Sequence, residues 1–273
     1  MDKNSLRVRA DDWMHANMDR FSLFGMQGQR FWRAGARSPM VLASAQKIYT
    51  LYGVMRLAAN DIKFLNTEIE IQSLNQFYRP GTDAGAHQRS LLADGLSMDS
   101  INKKVRVTRA IVYMMRYSSN AAADVLASEI GKRLVASPHG HGIFQPPLID
   151  EQIEQSFKVG DSAWYRNTTK NLTETLRQLD ELQLNVDNLR TELYLPVLQR
   201  SKSAEIRGKL GSIPGYRAGA AVMNSPDGLK IYGSYAFQYP HHATALAVAI
   251  EQRLKSISLK PECDQHLVQF GTR

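Results

Sequence analysis

A serine three positions before a lysine can become a nucleophile when a helix puts the two side chains on one face. The run Pro39-Met40-Val41-Leu42-Ala43-Ser44-Ala45-Gln46-Lys47-Ile48-Tyr49 sets up such a pair, and helix-favouring residues follow over 48–59. Three residues make about one helical turn, so the Ser44 hydroxyl and the Lys47 amine share a face. At a first turn the positive end of the helix dipole disfavours an ammonium, and apolar neighbours (Met40, Leu42, Ile48) desolvate it. A neutral amine can then take the serine proton. The spacing alone says little, because Ser100-Ile101-Asn102-Lys103 repeats it in a polar setting beside Lys104.

Two more short motifs stand downstream. Ser118-Ser119-Asn120 closes a helix-length apolar run over 107–117 and precedes a helical stretch over 121–134. Lys209-Leu210-Gly211-Ser212 lies in an alternating, strand-like run. Between them, Thr168–Leu184 and Val186–Leu198 read as amphipathic helices, the first capped by Asn167 or Thr168.

The elements that position these motifs follow a simple order. Residues 6–20 have a helical pattern. Phe21–Ala34 reads as a hairpin turning at Gln27-Gly28-Gln29. Glu68-Ile69-Glu70-Ile71 alternates like a strand, and 79–85 is loop chemistry. After residue 205 the period shortens. Ile206–Ser212, Ala218–Met223 and Leu229–Phe237 form an antiparallel meander, with Ser225-Pro226-Asp227-Gly228 as its last turn, and Ala243–Ile257 closes with a helix. Strand signals at both ends and helices between them predict a single domain of two lobes over 1–273. The mixed α/β lobe comes from about 1–56 and 199–260, the helical lobe from about 57–198, with a cleft at their junction.

Composition narrows the function. The chain has 273 residues, 43% hydrophobic and 22% charged, as expected of a globular protein that needs no staples. Its single cysteine, Cys263, permits no internal disulfide. The net charge of +8 is spread thinly and comes without a nucleic-acid-binding motif, so no nucleic-acid partner is expected. No run of 18 apolar residues exists, which argues against a membrane span. The opening Met1-Asp2-Lys3-Asn4 shows no apolar stretch of the kind a secretory signal carries, and a mature chain whose leader had been cleaved would look the same. His139-x-His141 sits in a Gly- and Pro-rich loop without a third ligand in view, so no metal is expected.

Taken together and in order, Ser44-x-x-Lys47, Ser118-x-Asn120 and Lys209-Leu210-Gly211 resemble the penicillin-recognising serine hydrolases, and most closely the class A β-lactamases. Ser212, Gly215-Tyr216 and the turn at Ser225–Gly228 follow that family's active-site strand and hairpin, and Asn167-Thr168-Thr169 is similar to the end of its Ω-loop. The resemblance spans about 21–257 and implies an antiparallel sheet flanked by helices plus an all-helical lobe. It implies a cofactor-free hydrolase that opens the amide of β-lactams through an acyl-enzyme. Ser44, Lys47 and Ser118 would be catalytic, and Asn120, Lys209, Gly211 and Ser212 would bind substrate. The substrate would be a small molecule or peptide bearing a carboxylate, the protein a monomer, and its location periplasmic or secreted. Alternatives on the same fold are a D,D-peptidase or esterase, or a binding relative without catalysis.

Two departures qualify the resemblance. Leu210 stands where the family carries Thr or Ser. The family's deacylating glutamate is followed four residues on by asparagine, and no Glu-x-x-x-Asn occurs between 135 and 167. Glu154 falls near the expected place, with Lys158 where the asparagine belongs. Arg217 is a further candidate for the substrate carboxylate.

Overall fold

The alternating runs become strands and the longer apolar runs become helices in the computed structural model. It describes all residues except 1–2, 82, 84, 136–165, 185–198, 201–205, 226–227, 241–242, 261–266 and 273. In chain order, α1 (Lys3–Ala16) precedes the hairpin β1 (Phe21–Gln27) and β2 (Arg30–Gly35). A short strand β3 (Met40–Val41) leads through a 3-10 helix (Ala43–Gln46) directly into α2 (Lys47–Asn60). Then come β4 (Glu68–Glu70), α3 (Ile71–Gln76), α4 (Ala86–Leu92), β5 (Lys104–Arg106) and α5 (Val107–Val112). A π turn (Tyr113–Tyr117) separates α5 from α6 (Asn120–Val135). The chain continues with β6 (Arg166–Asn167), α7 (Thr169–Leu184), β7 (Gln199–Arg200), β8 (Ile206–Ile213), β9 (Tyr216–Asn224), β10 (Lys230–Gln238), α8 (Thr244–Leu259) and β11 (Gln269–Thr272).

Two compact units result. The first takes Met1–Gln46, Trp164–Arg177 and Arg200–Arg273. Its sheet runs in the order β11-β2-β1-β10-β9-β8-β7. Ala10 and Met14 of α1 and Ile250, Leu254 and Ile257 of α8 pack on Phe21, Leu23, Tyr235 and Phe237. Each such large side chain contributes about 1.5–3 kcal/mol by leaving water. The cross-strand pair Gly25 and Gly233 explains how close α8 lies. A Cβ on either residue would fall 2.4–2.5 Å from the Ser258 carbonyl oxygen. The opposite face meets α7 through buried hydroxyls. Ser22 Oγ lies 2.8 Å from Thr169 Oγ1, Thr173 Oγ1 donates to Ser234 Oγ at 2.7 Å, and Ser234 Oγ donates to the Thr169 carbonyl at 2.6 Å.

The second unit takes Lys47–Ala163 and Gln178–Gln199. Helix α2 is its axis: every residue from Lys47 to Met55 is buried, as a helix apolar on all sides must be. It packs against α6. Apart from the two-stranded ribbon of β4 and β5 and Gln199 at the start of β7, the regular elements in the described part of this unit are helical. The fold is thus an antiparallel sheet flanked by helices together with a helical unit, as expected from the sequence.

Local readings differ in two places. Ile71 opens α3 instead of extending the strand, although its N–H still makes the next in-register bond to the Lys103 carbonyl at 2.9 Å. The tail after α8 supplies β11, which pairs with the free edge of β2 through Phe270↔Trp32. The expected loop over 137–147 and helix over 186–198 lie outside the described residues. Among the described residues no helix is long and apolar enough to cross a membrane.

Candidate active site

In the first unit the site begins at the 3-10 helix. Ser44 lies there, one turn before α2, half-buried between the buried Ala43 and Ala45. Ala43 has φ of 45°, a left-handed conformation that costs a residue with a Cβ about 1–3 kcal/mol. Strand β8 comes close against this turn at Gly211. A Cβ on Gly211 would lie 2.4 Å from the Ser44 nitrogen and 2.6 Å from that of Ala45. Only glycine fits.

Side chains alternate along a strand, so Lys209 shares the Gly211 face. Lys209 is fully buried. Leu210 points to the other face, where it sits over Gly219 and is 41% exposed. The hydroxyl that the family motif would carry there is absent, but the leucine side chain is directed away from the Ser44 turn. Ser212 stands one position beyond Gly211, exposed.

In the second unit, Lys47 and Asn120 meet. The Lys47 amine donates to Asn120 Oδ1 at 2.6 Å, and Lys47 is 2% exposed. Burial pulls the amine down from 10.5 to about 8, against the carboxylates of Asp124 and Asp83, which favour the ammonium. Ser118, half-buried, ends the π turn with φ of 67°. Among the described residues Ala43 and Ser118 are the only non-glycines in the left-handed region; the first immediately precedes Ser44 and the second opens the Ser118-x-Asn120 motif.

Ser119 has a different task. It is buried, accepts from the Ala122 N–H at 3.1 Å, and lies 3.3 Å from His87 Nδ1. Asn75 donates to the Met98 carbonyl, which leaves its oxygen to accept from His87 Nε2 at 3.0 Å. His87 therefore carries its proton on Nε2, and Nδ1 accepts from Ser119. Burial lowers the His87 pKa and keeps the ring neutral. This buried chain holds the loop in which Ser118 is left-handed. Ser118→Gly should accordingly raise stability by about 1 kcal/mol in chemical denaturation, since glycine adopts that conformation without a Cβ penalty. The same change should slow any reaction that uses the hydroxyl.

Other candidates fall elsewhere. Arg217 pairs with Glu251 of α8 and lies 5.7 Å from the Tyr239 ring centroid, so the sheet's helical cover engages it. Ser100 and Lys103 occupy a turn, where the Ser100 hydroxyl accepts from the Ser97 N–H and Lys103 is exposed. The geometry of a buried amine belongs to Lys47 alone of the two spacings. Glu154, Lys158, His139 and His141 lie outside the described residues. Sequence reading missed Asp83, His87 and Asp124. Only Asp124 left a signal, four residues after Asn120 and thus on the same helical face.

No family model matches the sequence, and no curated protein does. Solved structures do match. A class A β-lactamase from Bacteroides cellulosilyticus is 15% identical with a TM-score of 0.64, over 94% of this chain and 96% of its own. A β-lactamase from Chitinophaga pinensis is 12% identical at a TM-score of 0.62, covering 94% and 99%. One from Francisella tularensis is 13% identical at 0.59, covering 93% and 98%. The fold is that of the class A β-lactamases. At this level of identity the shared property is the β-lactamase fold, and it extends over nearly the full length of both chains.

Proposed function

We propose that this chain is a serine hydrolase of the β-lactamase type, opening an amide through an acyl-enzyme on Ser44. The observation that carries the reading is the Lys47 amine: buried, 2.6 Å from Asn120 Oδ1, and held near pH 8 one turn after Ser44. An amine so placed can be neutral at working pH and act as a base. Ser44 Oγ forms a bond to the carbonyl carbon while its proton passes to Lys47. The N–H groups of Ser44 and Ser212 would stabilise the oxyanion, a contribution of about 3 kcal/mol per donor. Ser118 hands a proton to the leaving nitrogen as the C–N bond breaks. The amide nitrogen of Asn120 would donate to the substrate, since its oxygen is taken by Lys47. Lys209, with Gly211 beside the Ser44 turn, would attract the substrate carboxylate. Water then cleaves the ester and frees the acid.

Deacylation is where this chain departs from the family. With no Glu-x-x-x-Asn between 135 and 167, the second step falls to Glu154 or goes slowly. Nitrocefin should therefore give a stoichiometric burst followed by slow turnover, and Glu154→Gln should keep the burst while the acyl-enzyme accumulates. The absence of both burst and turnover would contradict the proposal. Hundreds of turnovers per second, unaffected by Glu154→Gln, would assign the base elsewhere. The missing motif also favours a second reading, a D,D-peptidase or esterase on the same fold. Cleavage of a D-Ala-D-Ala peptide faster than of nitrocefin would select it. Either reading carries the expectation of a monomer acting in the periplasm or outside the cell.

A further inference from the structure

The second unit contains two carboxylates for which the reaction sketched above has no use. Asp83 lies in the loop before α4 and Asp124 on α6. Asp83 ties three backbone groups together. Its Oδ1 accepts from the Ala86 N–H at 3.1 Å, and its Oδ2 accepts from the His87 N–H at 3.2 Å and, at 3.4 Å, from the Asn120 N–H. Asp124 follows Asn120 by one helical turn, so both side chains project from the face of α6 that meets α2. Asn120 joins the group to Lys47 through the 2.6 Å bond from the amine.

We propose that Asp83 and Asp124 are paired positioning residues for Lys47, holding its amine against Asn120 and setting how readily its ammonium gives up a proton. A fully buried ammonium without a counter-charge would discharge far below its ordinary range. Asp124 and Asp83, in that order, act against this desolvation. On α2, in the turn after it and on α6, Arg56 is engaged with Tyr52, Asp61 with the Lys63 N–H, and Glu129 with Lys132 and Arg133. His87, near Asp83, is neutral and occupied by Asn75 and Ser119. The consequence for catalysis rests on the reading of Lys47 as base, but the effect on the amine does not.

The test follows the lysine directly. Protein labelled with 13C at lysine Cε is titrated by NMR, and the Lys47 resonance is assigned by its loss in Lys47→Arg. In the wild type it should titrate near 8. Asp124→Asn should move that titration down by about one pH unit, and Asp83→Asn by less. Asp124→Glu, which keeps the charge, should leave it in place. The rising limb of the pH profile for penicillin acylation should shift with the titration. Circular dichroism checks that each variant is folded, and either charge-removing variant alone suffices if the other does not fold. An unmoved or raised titration in a folded variant overturns the proposal. A shifted titration without any acylation in the wild type would leave the proposal standing and reject the hydrolase reading instead.

Discussion

Lys47→Ala should slow acylation of Ser44 by penicillin about 10²–10⁴-fold, the usual worth of a positioned general base. Helix α2 is enclosed along its first turns, so the amine is desolvated, and it donates to the acceptor oxygen of Asn120. In the wild type the acylation rate should rise with pH and level off above about 8, as the folded protein's ammonium loses its proton. The variant should lose that limb. Lys47→Met, which keeps the volume without the amine, separates the chemistry from packing: it should be as slow as alanine while filling the space. A variant that acylates at the wild-type rate with the same pH dependence would remove Lys47 from the mechanism.

Gly211→Ala should be nearly as damaging although it adds one methyl group. The added carbon would meet backbone on both nearest contacts, 2.4 Å from the Ser44 nitrogen and 2.6 Å from that of Ala45. Backbone cannot rotate out of the way as a side chain can, so β8 or the 3-10 helix must move. Either displacement shifts the N–H groups proposed to receive the oxyanion, and loss of one such donor costs about 10²–10³-fold. Overpacking should also lower stability by about 1–3 kcal/mol. Stopped-flow acylation and urea denaturation measure the two effects. Acylation unchanged in a destabilised variant would mean that the close approach at Gly211 serves packing only.

The sheet could be read from sequence because its strands are short apolar or alternating runs and their turns are marked by Gly28 and by Ser225 and Gly228. β11 could not, since Gln269-Phe270-Gly271-Thr272 has no periodicity beyond one aromatic and becomes a strand by pairing with the open edge of β2. Ser44 and Lys47 were legible as a pair because helical spacing is a property of adjacent residues. The choice against Ser100 and Lys103 became firm only with burial, which depends on packing from distant parts of the chain. Asp83, His87 and Asp124 act on Lys47 and Asn120 through contacts between segments 30 or more residues apart in several cases, such as His87 with Ser119. Such contacts leave no local pattern. The face on which Leu210 lies was likewise undecided until its register with Gly219 and the approach of Gly211 to Ser44 were known.

The central claim is that Ser44 forms a covalent acyl-enzyme. Intact-mass spectrometry after incubation with benzylpenicillin, followed by peptide mapping, measures it. The account predicts one added penicilloyl mass per chain, carried by the peptide containing Ser44 and absent in Ser44→Ala. No adduct at any time, or an adduct on the peptide containing Ser100 that survives Ser44→Ala, would contradict it.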